Sequence, residues 1–202
     1  MMFTEYGGKE KCELLYFQVT EDRGEQDAIT DEVNFLTRIL TQNKDMGGAR
    51  DKDGNLLRKS DGIFVQRLYS QDYHDRSPIL KKCNEVIQGF QNFCLPIFGD
   101  QYGVFGKNLG NFTFGAAFNA YGDGDEYKVH RDASDVTILW FPKQGQYEGG
   151  QLILPDWNLK VDVHSFHGVV FPSFYRHYVL PVKTESEFPE RFSVSTFVYG
   201  ER

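Results

Sequence analysis

His130 and Asp132 stand two residues apart in the run Tyr127-Lys128-Val129-His130-Arg131-Asp132. On an extended backbone alternate side chains share a face, so this imidazole and this carboxylate point into the same space. A second histidine arriving from a distant strand would complete a set of two imidazoles and one carboxylate, which leaves three positions open on an octahedral iron(II). A closed structural zinc site would take four ligands, usually with cysteine among them. His164, His167 and His177 all lie downstream, and by residue type alone each can supply the third ligand. A separate signal comes from Arg191-Phe192-Ser193. The same alternation places Arg191 and Ser193 on one face, where the planar guanidinium fork matches a carboxylate and the hydroxyl adds a further hydrogen bond. Together the two signals point to metal chemistry with an anionic co-substrate.

These side chains need strands to carry them, and hydrophobic periodicity changes from helical to strand spacing near residue 112. Short runs rich in Val, Phe, Tyr, Leu and Thr, broken by Gly, Asp and Pro, predict strands near 113–121, 126–131, 135–142, 150–154, 159–164, 168–172, 176–182 and 191–199. That many closely spaced strands imply a sandwich, jelly roll or barrel. Upstream, Val33, Phe35, Leu36, Ile39 and Leu40 predict a helix from Thr30, with Asp31 and Glu32 at its positive end and Gly47-Gly48 stopping it. A second helix opens at Ser77-Pro78 and carries Ile79, Cys83, Val86, Ile87, Phe90 and Cys94 as its apolar stripe. Between them, residues 44–76 are charged and glycine-rich and read as a loop, with Lys44 to Gln71 a candidate lid over the site and His74 a solvated loop residue. Asp51-Lys52-Asp53-Gly54 lacks the later ligands of a calcium loop and reads as a turn. The expected architecture is α+β, mainly β, in one domain over 1–202, with helical support in 1–112 and a β core in 113–202.

The chain carries 22 basic and 29 acidic residues, a net charge of −7. A nucleic-acid footprint normally has the opposite sign, so that partner class is disfavoured, although Lys128, Arg131 and Arg176 near the motifs could form a small basic stripe. Three cysteines do not make a disulfide framework, and the first residues lack the apolar run of a signal peptide. No stretch matches a membrane-spanning helix. The expected location is therefore cytoplasmic. Eighteen Phe, eleven Tyr and two Trp suit a core built from strands. Tyr127, Trp140 and Tyr175 are candidates for shaping a substrate groove.

Tyr121 upstream of His130-x-Asp132, then Gly149-Gly150-Gln151-Leu152, then Val169-Val170-Phe171-Pro172-Ser173 leading to His177, then Pro181-Val182 and Arg191-x-Ser193, follow one another in an order that resembles the iron(II)- and 2-oxoglutarate-dependent oxygenases, most closely the prolyl 4-hydroxylase-like branch. The resemblance implies a double-stranded β-helix (jelly-roll or cupin-like) core with N-terminal supporting helices. It implies His130, Asp132 and His177 as iron ligands, because His177 follows the Phe-Pro-Ser break whereas His164 and His167 flank a turn. It further implies Arg191 as the anchor of the distal carboxylate of 2-oxoglutarate, helped by Ser193, with Tyr121 in the same pocket. Residues 184–190 read as a small insertion ahead of Arg191, and Asp132 argues against the halogenases, which lack that carboxylate. The expected enzyme is a dioxygenase using Fe(II), 2-oxoglutarate and O2, with ascorbate in support, that hydroxylates a C–H bond of a protein or peptide prolyl residue. A free amino acid or other small molecule, or a nucleic acid, is the enzymatic alternative, and a non-catalytic β-barrel binding module the non-enzymatic one.

Overall fold

The computed structural model describes residues 3–5, 14–42, 60–69, 76–98 and 112–200, and the side chains of 14–42, 60–69, 76–92 and 112–200. Its strands are β1 (Phe3–Glu5), β2 (Leu15–Gln18), β3 (Asp61–Phe64), β4 (Phe112–Tyr121), β5 (Tyr127–His130), β6 (Val136–Phe141), β7 (Glu148–Gly149), β8 (Leu152–Leu154), β9 (Leu159–Val161), β10 (His167–Pro172), β11 (His177–Val179), β12 (Val182–Lys183) and β13 (Arg191–Gly200). Two helices, α1 (Arg23–Gln42) and α2 (Pro78–Phe98), precede β4. The strands form a sheet of order β1-β2-β10-β6-β13-β4-β3, a second of order β5-β11-β8-β9, and the pair β12-β7.

Alternation sorts the large sheet into two faces. Ile138 and Trp140 of β6, Phe118 of β4 and Val194 of β13 join Val33 and Leu36 of α1 and Val86 and Ile87 of α2 in one core. Leu139 and Phe141 point the other way, into a second core with Leu152 and Leu154 of β8 and Val161 of β9. Because helices cover one face and the smaller sheet the other, every residue of β6 is buried. A strand covered on both sides reads as a continuous apolar run, as Val136 to Phe141 does. Trp140 thus faces the helices, away from any groove.

Helix α1 begins seven residues before the expected Thr30. Asp22 caps it by accepting the Glu25 amide at 2.8 Å, and Thr20 donates to the Glu25 carboxylate at 2.6 Å. The buried stripe is Ile29, Glu32, Val33, Leu36 and Leu40, while Phe35, expected within it, is 49% exposed because it lies one residue off the stripe. Glu32 is not a first-turn dipole partner. It lies in mid-helix and accepts from Tyr69 Oη at 2.8 Å, Ser77 Oγ at 2.6 Å and the Ile79 amide at 2.7 Å. It thereby satisfies one free amide of the first turn of α2, while Ser77 Oγ takes the Leu80 amide at 3.0 Å. Cys83 is buried within α2 as expected, and burial pushes its thiol up to about 11.

Four strands were not anticipated, β1, β2, β3 and the two-residue β7. β1 and β2 extend the large sheet beyond β10, and β3 closes its other edge against β4, pairing Asp61–Phe64 with Ala117–Ala120. Residues 61–64 of the expected lid are therefore an edge strand. Residues 43–59 and 70–75, which include Gly47-Gly48, the Asp51 turn and His74, lie outside the described residues, as do the side chains of Cys12 and Cys94. The strand expected at 150–154 begins only at Leu152, and the one expected at 176–182 is split into β11 and β12. Gly149 and Gly150 take positive φ values of 73° and 67°, and Pro181 lacks the amide that a continuous ladder needs. Gly150 instead donates its amide to the Pro181 carbonyl at 3.2 Å.

Replacing Glu32 with alanine strands a buried hydroxyl and a helix amide at once, so a loss of about 3 kcal/mol is expected. Urea denaturation of Glu32→Ala beside the parent protein measures it.

Candidate active site

β5 and β11 run antiparallel with His177 directly opposite His130. Asp132 follows β5 by two residues, and its amide donates to the Ser173 carbonyl at 3.1 Å, which ties it to the end of β10. As a result His130, Asp132 and His177 present one donor atom each within 4.8 Å of one another. Among the described residues no other group of three His, Cys, Asp or Glu side chains does so. His164 and His167 are elsewhere. His167 opens β10 and stacks on Tyr16, with ring centroids 5.4 Å apart, and His164 meets it edge-on.

Both imidazoles are oriented in the same way. His130 Nδ1 lies 2.8 Å from the Lys128 carbonyl and His177 Nδ1 lies 3.2 Å from that of Tyr175, so each Nδ1 carries the proton and donates it to backbone two residues earlier. Each Nε2 lone pair is left facing the carboxylate. His130 Nε2 is 3.5 Å from Asp132 Oδ1 and His177 Nε2 is 3.4 Å from Oδ2. Those separations exceed a good hydrogen bond and suit three donors around a common centre. Burial pushes His177 down to about 4, only partly offset by Asp132, so it is neutral at pH 7 and its lone pair is available. Burial would raise Asp132, but the two histidines and Thr137 outweigh it and hold the carboxyl below its usual range. Tyr127 stacks on His130 with centroids 3.7 Å apart, making one wall of the cleft.

Arg191 opens β13 opposite Tyr121, in regular register despite the insertion before it. The insertion is absorbed outside the ladder, where Glu190 donates its amide to the Tyr121 carbonyl at 3.1 Å. The Arg191 side chain is 0% exposed. Its Nε donates to the Gly150 carbonyl at 2.7 Å, its guanidinium carbon lies 4.5 Å from the Tyr121 ring centroid, and both terminal nitrogens are buried without a hydrogen-bond partner. Burial pulls this guanidinium down from its ordinary value, opposed by Tyr121 and Tyr147. A guanidinium with two idle donors inside a barrel suits a carboxylate guest. Tyr121 and Ser193 line the same cleft as the three metal-type donors.

Some contributors were missed from the sequence or noticed only as motif letters. Thr137 donates to Asp132 Oδ2 at 2.6 Å. Gln144 grips β13 as a surrogate strand, its Nε2 donating to the Phe192 carbonyl at 2.8 Å and its Oε1 accepting the Phe192 amide at 3.2 Å. Asn119 donates to Ser195 Oγ at 3.3 Å, and Ser195 faces the cleft. Each depends on a partner more than 30 residues away or on strand neighbours, except Thr137, whose place on the inward face of a strand was the available signal. Tyr175, suggested as a groove residue, sits half-buried between Trp157 and Phe174, with centroids 4.2 and 4.4 Å away.

Residues 116–199 match the family model described as the 2OG-Fe(II) oxygenase superfamily. The matched stretch includes His130, Asp132, His177, Arg191 and Ser193. The match and the fold together indicate an iron(II)- and 2-oxoglutarate-dependent dioxygenase with a double-stranded β-helix core. A prolyl-4-hydroxylase from Pseudomonas putida has the same fold, with a TM-score of 0.59 and 18% identity over 94% of each chain. So do the viral collagen prolyl hydroxylase of Paramecium Bursaria Chlorella virus-1, solved as a 2OG complex (TM-score 0.56, 15% identity, 95% of this chain and 96% of that one), and a Trichoplax adhaerens prolyl hydroxylase in complex with a hypoxia inducible factor oxygen degradation domain peptide fragment (0.62, 14%, 93% and 84%). No curated protein matches. Among the described residues no helix is long and apolar enough to cross a membrane.

Gly150 shapes the Arg191 well, since a Cβ there would stand 2.8 Å from Arg191 Cδ on a backbone of φ +67°. Gly150→Ala should raise the 2-oxoglutarate concentration needed for half-maximal succinate formation at least about tenfold, the effect of losing roughly one charge-assisted hydrogen bond, while Co(II) affinity stays unchanged. Succinate assays and a Co(II) titration separate the two.

Proposed function

We propose that His130, Asp132 and His177 hold the iron, that Arg191, with Ser193 and Tyr121, receives the distal carboxylate of 2-oxoglutarate, and that the enzyme hydroxylates a prolyl residue of a protein or peptide. The observation that carries the site assignment is the pairing of two incomplete groups in one barrel: three convergent donors with free lone pairs, and a buried guanidinium with two idle donors. Each lacks what an iron(II) 2-oxoglutarate complex would bring. When bound, iron with 2-oxoglutarate and dioxygen supplies the oxidation, placing one oxygen atom in a substrate C–H bond and the other in succinate, with release of carbon dioxide.

The protein's own contribution is positional. The Lys128 and Tyr175 carbonyls hold the two imidazoles with Nε2 inward. Arg191 sets the orientation of the co-substrate through its fork, and the Gly150 carbonyl sets the orientation of Arg191. Leu139, Leu152, Val179 and Phe197 line the cleft with hydrocarbon and limit water around the reacting bond.

The substrate reading is supported by the acidic chain and by an exposed aromatic ledge beside His177. Phe174 is 48% exposed and touches Tyr175, which touches Trp157, a surface suited to a prolyl-containing segment. A basic stripe for nucleic acid is weakened because Arg176 is paired with Asp156 through both its Nε and its terminal nitrogen.

Asp132→Ala should abolish both Co(II) binding and iron-dependent succinate formation, and Arg191→Ala should raise the 2-oxoglutarate requirement at least about 100-fold, as expected for losing two charge-assisted hydrogen bonds. Retained turnover in the first, or unchanged dependence in the second, moves the assignment elsewhere. For the substrate, proline-containing peptides, free amino acids and oligonucleotides are incubated with iron(II), ascorbate and 2-oxoglutarate, and products are read by mass for a gain of about 16 Da, one oxygen atom. Oxidation of a peptide proline is expected, and oxidation of oligonucleotides or free amino acids only would overturn the prolyl reading.

A further inference from the structure

Behind Asp132 lie three hydroxyls that share almost no solvent. Thr137 is 1% exposed, Ser173 0% and Ser134 9%. Thr137 Oγ1 is 2.6 Å from Asp132 Oδ2 and 2.8 Å from Ser173 Oγ, and Ser173 Oγ is 2.7 Å from Ser134 Oγ. Each hydroxyl has one proton, which sets the direction of the chain. The carboxylate only accepts, so Thr137 gives its proton to Oδ2. Ser173 must then give to Thr137, and Ser134 to Ser173. The longer 3.2 Å contact of Ser134 with the Val136 carbonyl is the one arrangement that competes for the last proton.

Backbone bonds hold the relay rigid. Besides the Asp132 amide on the Ser173 carbonyl, the Ser173 amide donates to the Asp135 carbonyl at 3.2 Å, so the turn after β5 and the end of β10 are doubly clamped around the hydroxyls. The chain of donors ends on Oδ2 alone. Oδ1, 3.5 Å from His130 Nε2, receives none of these protons.

We propose that Ser134, Ser173 and Thr137 form a one-way hydroxyl relay that pins the rotation of Asp132 and reserves Oδ1 as a single-oxygen metal ligand. This rests on the reading of Asp132 as a ligand. Thr137 is a positioning residue here: it touches neither metal nor substrate and acts through the carboxylate. Without its proton on Oδ2 the carboxylate is free to turn and offer both oxygens to a metal, which would consume one of the positions left for co-substrate and dioxygen.

The test uses the full chain and Co(II), whose visible absorption reports coordination number without turnover. Thr137→Val keeps the shape and removes the proton; it should weaken Co(II) binding about 10- to 100-fold and shift the visible bands. Thr137→Ser restores the donor and should bind within about threefold of the parent with the parent spectrum. Ser173→Ala leaves the Thr137 donor in place but removes the proton behind it, so it should fall between these two and also serves if Thr137→Val does not fold. Parent-like affinity and spectrum in Thr137→Val, failure of Thr137→Ser to restore them, or a parent-like Ser173→Ala when Thr137→Val cannot be obtained, would overturn the relay. Asp132→Ala keeps the two ideas apart. If it binds Co(II) like the parent, the ligand reading has failed; if it loses Co(II) while Thr137→Val does not, only the relay has.

Discussion

The antiparallel contact between β5 and β11, with His177 opposite His130, is the constraint on which the site depends. Neither strand is long, at four and three residues, and neither could stay extended alone in water. They are held because β11 also pairs with β8, and β8 packs Leu152 and Leu154 against Leu139 and Phe141 of the large sheet. The large sheet in turn rests on α1 and α2 through Ile138, Trp140 and Phe118. The convergence of two imidazoles is thus the innermost result of a three-layer stack, and hydrophobic burial on both faces of β6 supplies the force that keeps it registered.

Burial has the opposite sign at Arg191. Enclosing a guanidinium whose two terminal nitrogens find no protein acceptor is costly, and an arginine buried for stability alone would have its partners built in. Here the partners provided are one carbonyl and aromatic faces, Gly150 on Nε and Tyr121 and Phe141 around the guanidinium. Part of the hydrogen-bonding capacity is kept back. The same logic applies to the imidazoles, whose Nδ1 protons are used and whose Nε2 lone pairs are not. These unused donors and lone pairs cost stability locally, and the extensive apolar cores on either side of the sheet make that tolerable.

Most of the β core was legible because runs of β-branched and aromatic residues between Gly, Asp and Pro breaks are a short-range property. The runs 113–121, 135–142 and 191–199 stand out in this way, and the observed strands match them within a residue or so. What failed to read was structure that exists only through a partner. β3, Asp61–Phe64, has no apolar alternation and is a strand because β4 offers it an open edge. The early start of α1 depends on a cap at Asp22, and the fate of Glu32 on Tyr69 and Ser77, 37 and 45 residues away.

The site divides along the same line. Residue types and their alternation determined that His130 with Asp132, and Arg191 with Ser193, would each share a face, because side-chain direction on a strand follows from the backbone itself. Resemblance in motif order then singled out His177 among three candidate histidines. Only the tertiary structure decided that His177 meets the other two donors, that Arg191 is wholly buried with two nitrogens idle, and that Thr137 leans on Asp132 with two serines behind it. Those facts are distances between strands far apart in the chain, set by sheet order and packing, and no local pattern encodes them.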